Sequence, residues 1–290
     1  MKKNDLVLGI LVMIVWGLNF SVIKLGVNEI DPLLLTAFRF SLATLPAIFF
    51  VKRPNVSWSY LIAYGGIFSI GVWGVATWSI EAGLSAGMAS VLLQMNVAFG
   101  LFLGYFLLKE ALPLNRIIGS ALALSGLLLS LTVTDGSVTN TGLLFILFAA
   151  LSWSLASIII KKAGTKQIFA FSLWAMACAP LPLFVIVYLQ SGIDVFIQLP
   201  EQLNGRVAFS VLFQAYPVTL LGYWIWNRLL VTYPLTTVAP LTLLVPIFGL
   251  LGGVVFYQEE IGLIKLAASL CVISGIFIGF INLEKFKTAK

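Results

Sequence analysis

The polar side chains of this sequence are few, and most of them interrupt long apolar runs, so each is a candidate for binding chemistry. Histidine is absent, and the two cysteines, Cys178 and Cys271, each sit inside an apolar run. No Asp or Glu lies near the middle of any run. A membrane-embedded enzyme needs His clusters, paired carboxylates or an activated serine, and nothing here has that arrangement. There is no GxxxxGK[ST] loop to hold a nucleotide, and no cofactor, disulfide framework or metal site is called for. What remains suits the reversible recognition of a small solute by neutral polar groups, aromatic rings and one deep cation.

That cation is Arg39. In the run 33–51 it lies roughly 10 Å from one end, at 1.5 Å per residue. It can snorkel to the surface, pair with Glu81 at the end of 60–80, or draw a ligand carboxylate. Gln94 and Asn96 sit one and a half to two turns into the run 88–108. At about 100° per residue they point to nearly opposite sides. Asn96 shares a stripe with Gly100 and Gly104, a close-packing GxxxG pair, which leaves Gln94 as the better cavity residue. Trp16 and Asn19 share a face near the middle of 6–25. Trp153, with Ser157 one turn beyond, holds the same place in 142–160. Tryptophan usually belongs to the interface belt; these two are too deep for it and are expected to wall a cavity. Tyr216, Thr219, Tyr223 and Asn227, at spacings of three and four, form a stripe predicted to face away from lipid, toward substrate or toward other helices. In 237–257, Pro240, Thr242 and Pro246 predict a kink, whose freed carbonyls are placed either for a substrate ammonium or only for packing. Glu110 and Glu259 are read as end anchors.

These residues need elements to position them. The chain has 290 residues, of which 60% are hydrophobic and 10% charged. A soluble domain carries about 25% charged residues, and lipid is the natural solvent for this composition. Ten apolar blocks are long enough to cross a bilayer as helices: 6–25, 33–51, 60–80, 88–108, 115–133, 142–160, 168–189, 207–230, 237–257 and 262–282. They are continuously apolar, which argues against strands. Met1-Lys2-Lys3 and the apolar run after it resemble a signal peptide but lack a small-residue cleavage site, so the first block is expected to be retained.

With the N-terminus inside, the inner segments hold Lys2, Lys3, Lys52, Arg53, Lys109, Arg116, Lys161, Lys162, Lys166, Arg228, Lys285, Lys287 and Lys290, 13 of the 17 basic residues. Only Lys24, Arg39, Arg206 and Lys265 fall toward the outside. The positive-inside rule therefore predicts both termini in the cytoplasm. The net charge of +6 is scattered between blocks rather than gathered in a patch, so no nucleic-acid partner is expected.

The chain also repeats itself. Residues 89–129 align with 238–278 without a gap, setting Phe99-Gly100 on Phe248-Gly249, Glu110 on Glu259 and Ser125-Gly126 on Ser274-Gly275. Upstream, Trp16 and Lys24 fall on Trp153 and Lys161. The halves, 1–134 and 135–290, each hold five blocks, an odd number, so the second must enter the membrane the opposite way round. Inverted repeats are the signature of many secondary transporters, which expose a midplane site to each side in turn. Gly275 and Gly279 form a further close-packing pair and admit a homodimer.

Several stretches carry a resemblance. They are Trp16-Gly17-Leu18-Asn19-Phe20, Phe38-Arg39-Phe40, Leu92-Leu93-Gln94, Gly222-Tyr223-x-Ile225-Trp226, and Val238-Ala239-Pro240-Leu241-x-Leu243-Leu244-Val245-Pro246 with Glu259. In them the chain resembles the EamA family of the drug/metabolite transporter superfamily, over nearly its whole length. The last stretch is similar to the branch of exporters that release cysteine and O-acetylserine. The resemblance implies ten helices, a central cavity and export of small metabolites across the inner membrane. With no intramembrane carboxylate or histidine, movement down the solute gradient is expected, and proton coupling only through an end-placed Glu. A channel would more naturally show one repeated pore-lining motif.

Overall fold

A computed structural model describes residues 1–109, 112–233 and 235–280. Glu110 and Lys285, Lys287 and Lys290 lie outside the described residues. The described chain is helical throughout, with no strand. Its apolar helices are α1 (Lys3–Val27), α2 (Pro32–Ile48), α3 (Trp58–Glu81), α4 (Ala86–Leu107), α5 (Leu114–Ser130), α6 (Asn140–Ala163), α7 (Ile168–Ser191), α8 (Gly205–Thr232), α9 (Pro240–Tyr257) and α10 (Leu263–Gly279). Seven are long and apolar enough to cross a membrane; α2, α5 and α10 are shorter apolar helices. At 17 residues, α2 and α5 are about 25 Å long, at the lower limit for spanning.

The boundaries follow from local chemistry. Asp31 accepts from the amides of Leu33 and Leu34, and Pro32 at the first helical position needs no donor of its own, so α2 starts there. Ser85 starts α4 and Thr139 starts α6 by the same capping logic. Gly164, at φ 63°, stops α6. The connection at 190–206 holds an amphipathic helix, Asp194–Gln202. Its Val195, Phe196 and Leu199 pack on the core, while Ile197 points out.

Among the described residues, four stretches depart from α winding. α3 carries a π segment at Gly66–Gly74 and α8 one at Gln214–Leu221. α4 tightens to a 3-10 turn at Leu93–Met95, and α9 opens with one at Ala239–Leu243. Such departures re-aim side chains relative to an α register.

Each helix in residues 1–134 packs on helices in residues 135–290: α1 on α8 and α9, α2 on α7, α3 on α6, α4 on α6 and α9, and α5 on α10. Where backbones meet most closely the residues are small. A Cβ on Gly17 would reach Val245 O at 2.7 Å and Gly249 N at 2.9 Å; one on Gly252 would reach Ser21 Oγ at 2.6 Å. Gly119 of α5 and Gly275 of α10 sit backbone to backbone. The Gly275 face is therefore used inside the chain and is not presented to a second copy. On α4 the expected close approach is not made at Gly100. Gly100 has only Ser154 Oγ near it, at 3.8 Å, and the close approach on α4 is made by Gly87 and Ser90.

Candidate functional site

A cavity of about 280 Å³ opens among α1, α3, α4, α6, α8 and α9. Its walls are mainly aromatic. Trp16 lies 5.3 Å from Tyr223 and 5.6 Å from Trp226, ring centroid to centroid. Across from them, Trp153 packs edge-on to Phe68 at 5.9 Å and against Trp73 at 5.7 Å. Tyr64 stacks on Phe68 at 5.2 Å and completes the box. Tyr64, Trp226 and Thr242, which line it, lie in the halves of α3, α8 and α9 nearer the N-terminal face.

Backbone carbonyls released by irregular winding hold the polar side chains of the walls. The Trp16 indole N–H donates to Val218 O in the π segment of α8, at 3.0 Å. Gly222 makes this approach geometrically possible, since a Cβ there would lie 2.5 Å from Trp16 Nε1. On the other side, Pro246 has no N–H to offer the Thr242 carbonyl four residues earlier. The Gln94 amide donates to that carbonyl instead, at 3.2 Å. A side chain of α4 thus reaches the carbonyl at the proline step. Ser154 donates to Asn96 O at 2.7 Å, and Asn96 Nδ2 donates to Leu93 O at 2.8 Å.

Of the residues singled out from sequence, Trp16, Gln94, Trp153, Tyr223 and Thr242 line this cavity together. Asn96 lines it too, contrary to the expectation that it would pack elsewhere. The 3-10 turn advances about 120° per residue rather than 100°, which brings Gln94 and Asn96 to within about 120° of each other. Pro240 is absent from the lining and instead takes the second position of the 3-10 turn Ala239–Leu243. Ser157 is exposed and returns its hydroxyl to Trp153 O. Asn19 is fully buried, with neither amide atom hydrogen-bonded by the described residues. Tyr216 faces outward, in a lateral apolar groove with Phe50, Phe169 and Trp224. The π segment explains this last correction: an i→i+5 winding takes more residues per turn than an α-helix, so Tyr216 no longer shares a face with Thr219 and Tyr223. The missed wall residues have the same cause. Tyr64 and Trp73 are nine apart, about two and a half α turns, which would put them on opposite faces. The π segment between them brings both to the cavity.

Arg39 neither snorkels nor pairs with Glu81. It is 1% exposed, and Nε donates to Thr219 Oγ1 at 3.0 Å while Nη1 donates to Gln214 Oε1 at 3.4 Å. The guanidinium lies over the Trp73 ring, 4.2 Å from its centroid.

The face opposite the N-terminus is closed. Glu259 bonds Lys24 Nζ at 3.3 Å and accepts from the amides of Ala86 at 3.0 Å and Gly87 at 3.2 Å. One carboxylate thereby joins α1, the start of α4 and the end of α9. Tyr257 OH donates to Ser21 O at 2.8 Å just beneath it. Beside this clamp, Lys265 pairs with Asp135 at 2.9 Å.

Burial pushes the Asp135 carboxyl up, but the Ser137 hydroxyl, Lys265 and the Ser137 amide outweigh it and hold it at about 2, below the ordinary 3.8. The folded state therefore binds this proton less readily than the unfolded chain. The stabilisation is complete above the ordinary value and is lost as pH falls through about 2. Thermal unfolding in detergent should show Asp135→Asn less stable than the parent near neutral pH, with the gap closing across that acid window. A gap independent of pH would contradict the pairing.

The EamA-like transporter family model matches residues 5–132 and again residues 140–281. The chain belongs to that family. EamA-like proteins are transporters, and with its apolar helices this one is a multi-pass membrane protein. Two relatives extend the match. A protein of Salmonella typhimurium (strain LT2) named "Probable amino-acid metabolite efflux pump" is 34% identical over 100% of this chain and 99% of its own. A protein of Escherichia coli (strain K12) with the same name is 33% identical over the same shares. A solved crystal structure covers all of both chains at 16% identity with a TM-score of 0.67, a likeness of fold.

Proposed function

We propose that this EamA-family protein is a secondary exporter of small metabolites, amino acids such as cysteine or O-acetylserine, working by alternating access. In this reading ten helices cross the inner membrane as two inverted repeats, 1–134 and 135–290, with both termini in the cytoplasm. The observation that carries it is one closed and one approachable end on a single cavity. The aromatic box extends toward the N-terminal face while the Glu259 clamp seals the other. The family model matching twice, and helices of the two halves packing on one another, favour two repeats that rock about a shared centre. The lining is neutral, and at about 280 Å³ the space is just below the roughly 300–1,000 Å³ of drug-sized sites. Both features suit a small net-neutral zwitterion, whose ammonium is accommodated by ring faces. The names of the two bacterial relatives point the same way.

The test is counterflow in proteoliposomes loaded with unlabelled cysteine, O-acetylserine, threonine or phenylalanine. Transient, saturable accumulation of the labelled form is the expected result. Sustained flux without counterflow would identify a channel-like facilitator. No flux with any of these solutes would remove the amino-acid assignment.

A further inference from the structure

Arg39 is a permanent charge in an environment that does not neutralise it. Burying a guanidinium is costly unless it is paired and hydrogen-bonded. Among the described residues the ion pairs are Lys24–Glu259, Arg206–Glu29, Arg228–Asp5 and Lys265–Asp135; Arg39 is in none of them. Its two hydrogen-bond partners are neutral, and Nη2 has no acceptor among the described residues. Those two partners are themselves held in place. Gln214 Nε2 donates to Ser210 Oγ at 3.0 Å, and Ser210 donates to Val22 O at 2.7 Å. Thr219 Oγ1 donates to Gln214 O at 2.7 Å. Gln214 and Thr219 are five apart, a spacing that faces one guanidinium only because the segment is π-wound. α8 thus positions the cation without discharging it.

Its position relative to the cavity gives this charge a use. Trp73 lines the cavity, and its ring also lies against the guanidinium, 4.2 Å from centroid to Cζ. Arg39 lies in the first half of α2, toward the closed face, and is not itself among the residues lining the cavity.

We propose that Arg39 is a selectivity site for a single anionic group, the carboxylate of the transported solute, reached when Trp73 moves aside as the closed face opens. The planar guanidinium fork is suited to a carboxylate, which it engages through two parallel N–H bonds. Ring faces take the ammonium and Arg39 takes the carboxylate, so the site selects free α-amino acids over amines and amides. This rests on the export reading above.

The experiment is proteoliposome counterflow at zero membrane potential, comparing cysteine, threonine and phenylalanine with their carboxamides. It uses the parent protein, Arg39→Lys and Arg39→Gln, in chloride and in isethionate. The parent should favour the acids at least tenfold. Arg39→Lys should keep part of that preference, and Arg39→Gln should bring it below about twofold. Equal transport of acid and carboxamide by the parent would overturn the proposal whether or not any variant folds. So would a preference that survives in Arg39→Gln. Flux that falls in isethionate to the Arg39→Gln level, with the acid preference intact, would make the occupant an inorganic anion and also overturn it. Counterflow without discrimination defeats this inference alone. Absence of counterflow for every solute defeats the export reading and takes this inference with it.

Discussion

Replacing Glu259 with alanine is expected to destabilise the protein by about 2–4 kcal/mol and to open the face that the carboxylate seals. The figure follows from what is left behind. Lys24, whose side chain is 28% exposed, loses its partner, and the amides of Ala86 and Gly87 lose their acceptor at the start of α4. Removing one partner of a buried pair costs about 3–5 kcal/mol, and losing a helix N-cap about 0.5–2. The pair is only partly buried, which lowers the first figure. Glu259→Gln keeps an acceptor for the amides but not the charge, and should cost about half as much. Thermal unfolding in detergent measures the loss. Labelling of Ser85→Cys by an impermeant maleimide measures the opening: it should be faster in the Glu259→Ala background. An unchanged melting temperature together with unchanged labelling would mean that α1, α4 and α9 are held by packing alone.

Gly249→Ala should be similarly severe, although it adds a single methyl group. That methyl would fall on the Ser90 side chain, against both its Cβ and its Oγ. Ser90 cannot turn away cheaply, because it is 1% exposed and its hydroxyl donates to Gly87 O at 2.6 Å. Overpacking of this kind costs about 1–3 kcal/mol. The cause can be isolated by a second change. Ser90→Ala leaves the clashing Cβ in place and should not help. Ser90→Gly removes it and should recover much of the loss, less the roughly 1 kcal/mol that glycine costs inside a helix. A double-mutant cycle gives the coupling directly. If Ser90→Gly and Gly249→Ala simply add, the α4–α9 crossing is not as close as described.

The elements themselves were legible because their physics is local. A block such as 142–160 is apolar throughout and is followed by Lys161-Lys162 and Gly164, and the helix observed is Asn140–Ala163. The blocks 60–80 and 88–108 correspond to Trp58–Glu81 and Ala86–Leu107 with similar fidelity. Lipid-soluble length and capping residues act over a few neighbours and leave their mark in any window of the chain. The short helix Asp194–Gln202 was not legible, because nothing in its composition separates an amphipathic helix lying on the protein from a polar loop.

The site divides along the same line. Trp16 and Trp153 were found because a tryptophan at mid-depth is out of place in the interface belt, a property of one residue and its position. Tyr216 departs from the stripe expected of it, and an α period would not group Tyr64 with Trp73, because α3 and α8 abandon that period. The π segments persist where packing supports them: Gly222 admits Trp16, and Thr219 and Gln214 meet the guanidinium of Arg39 from another helix. A bundle of apolar helices with few polar groups at depth is written into every stretch of this chain. That Arg39 is buried against Trp73 rather than paired with Glu81, and that Glu259 joins three helices, comes from the packing. Those outcomes depend on which residues from distant parts of the chain arrive at the same place, and no window of the sequence carries that.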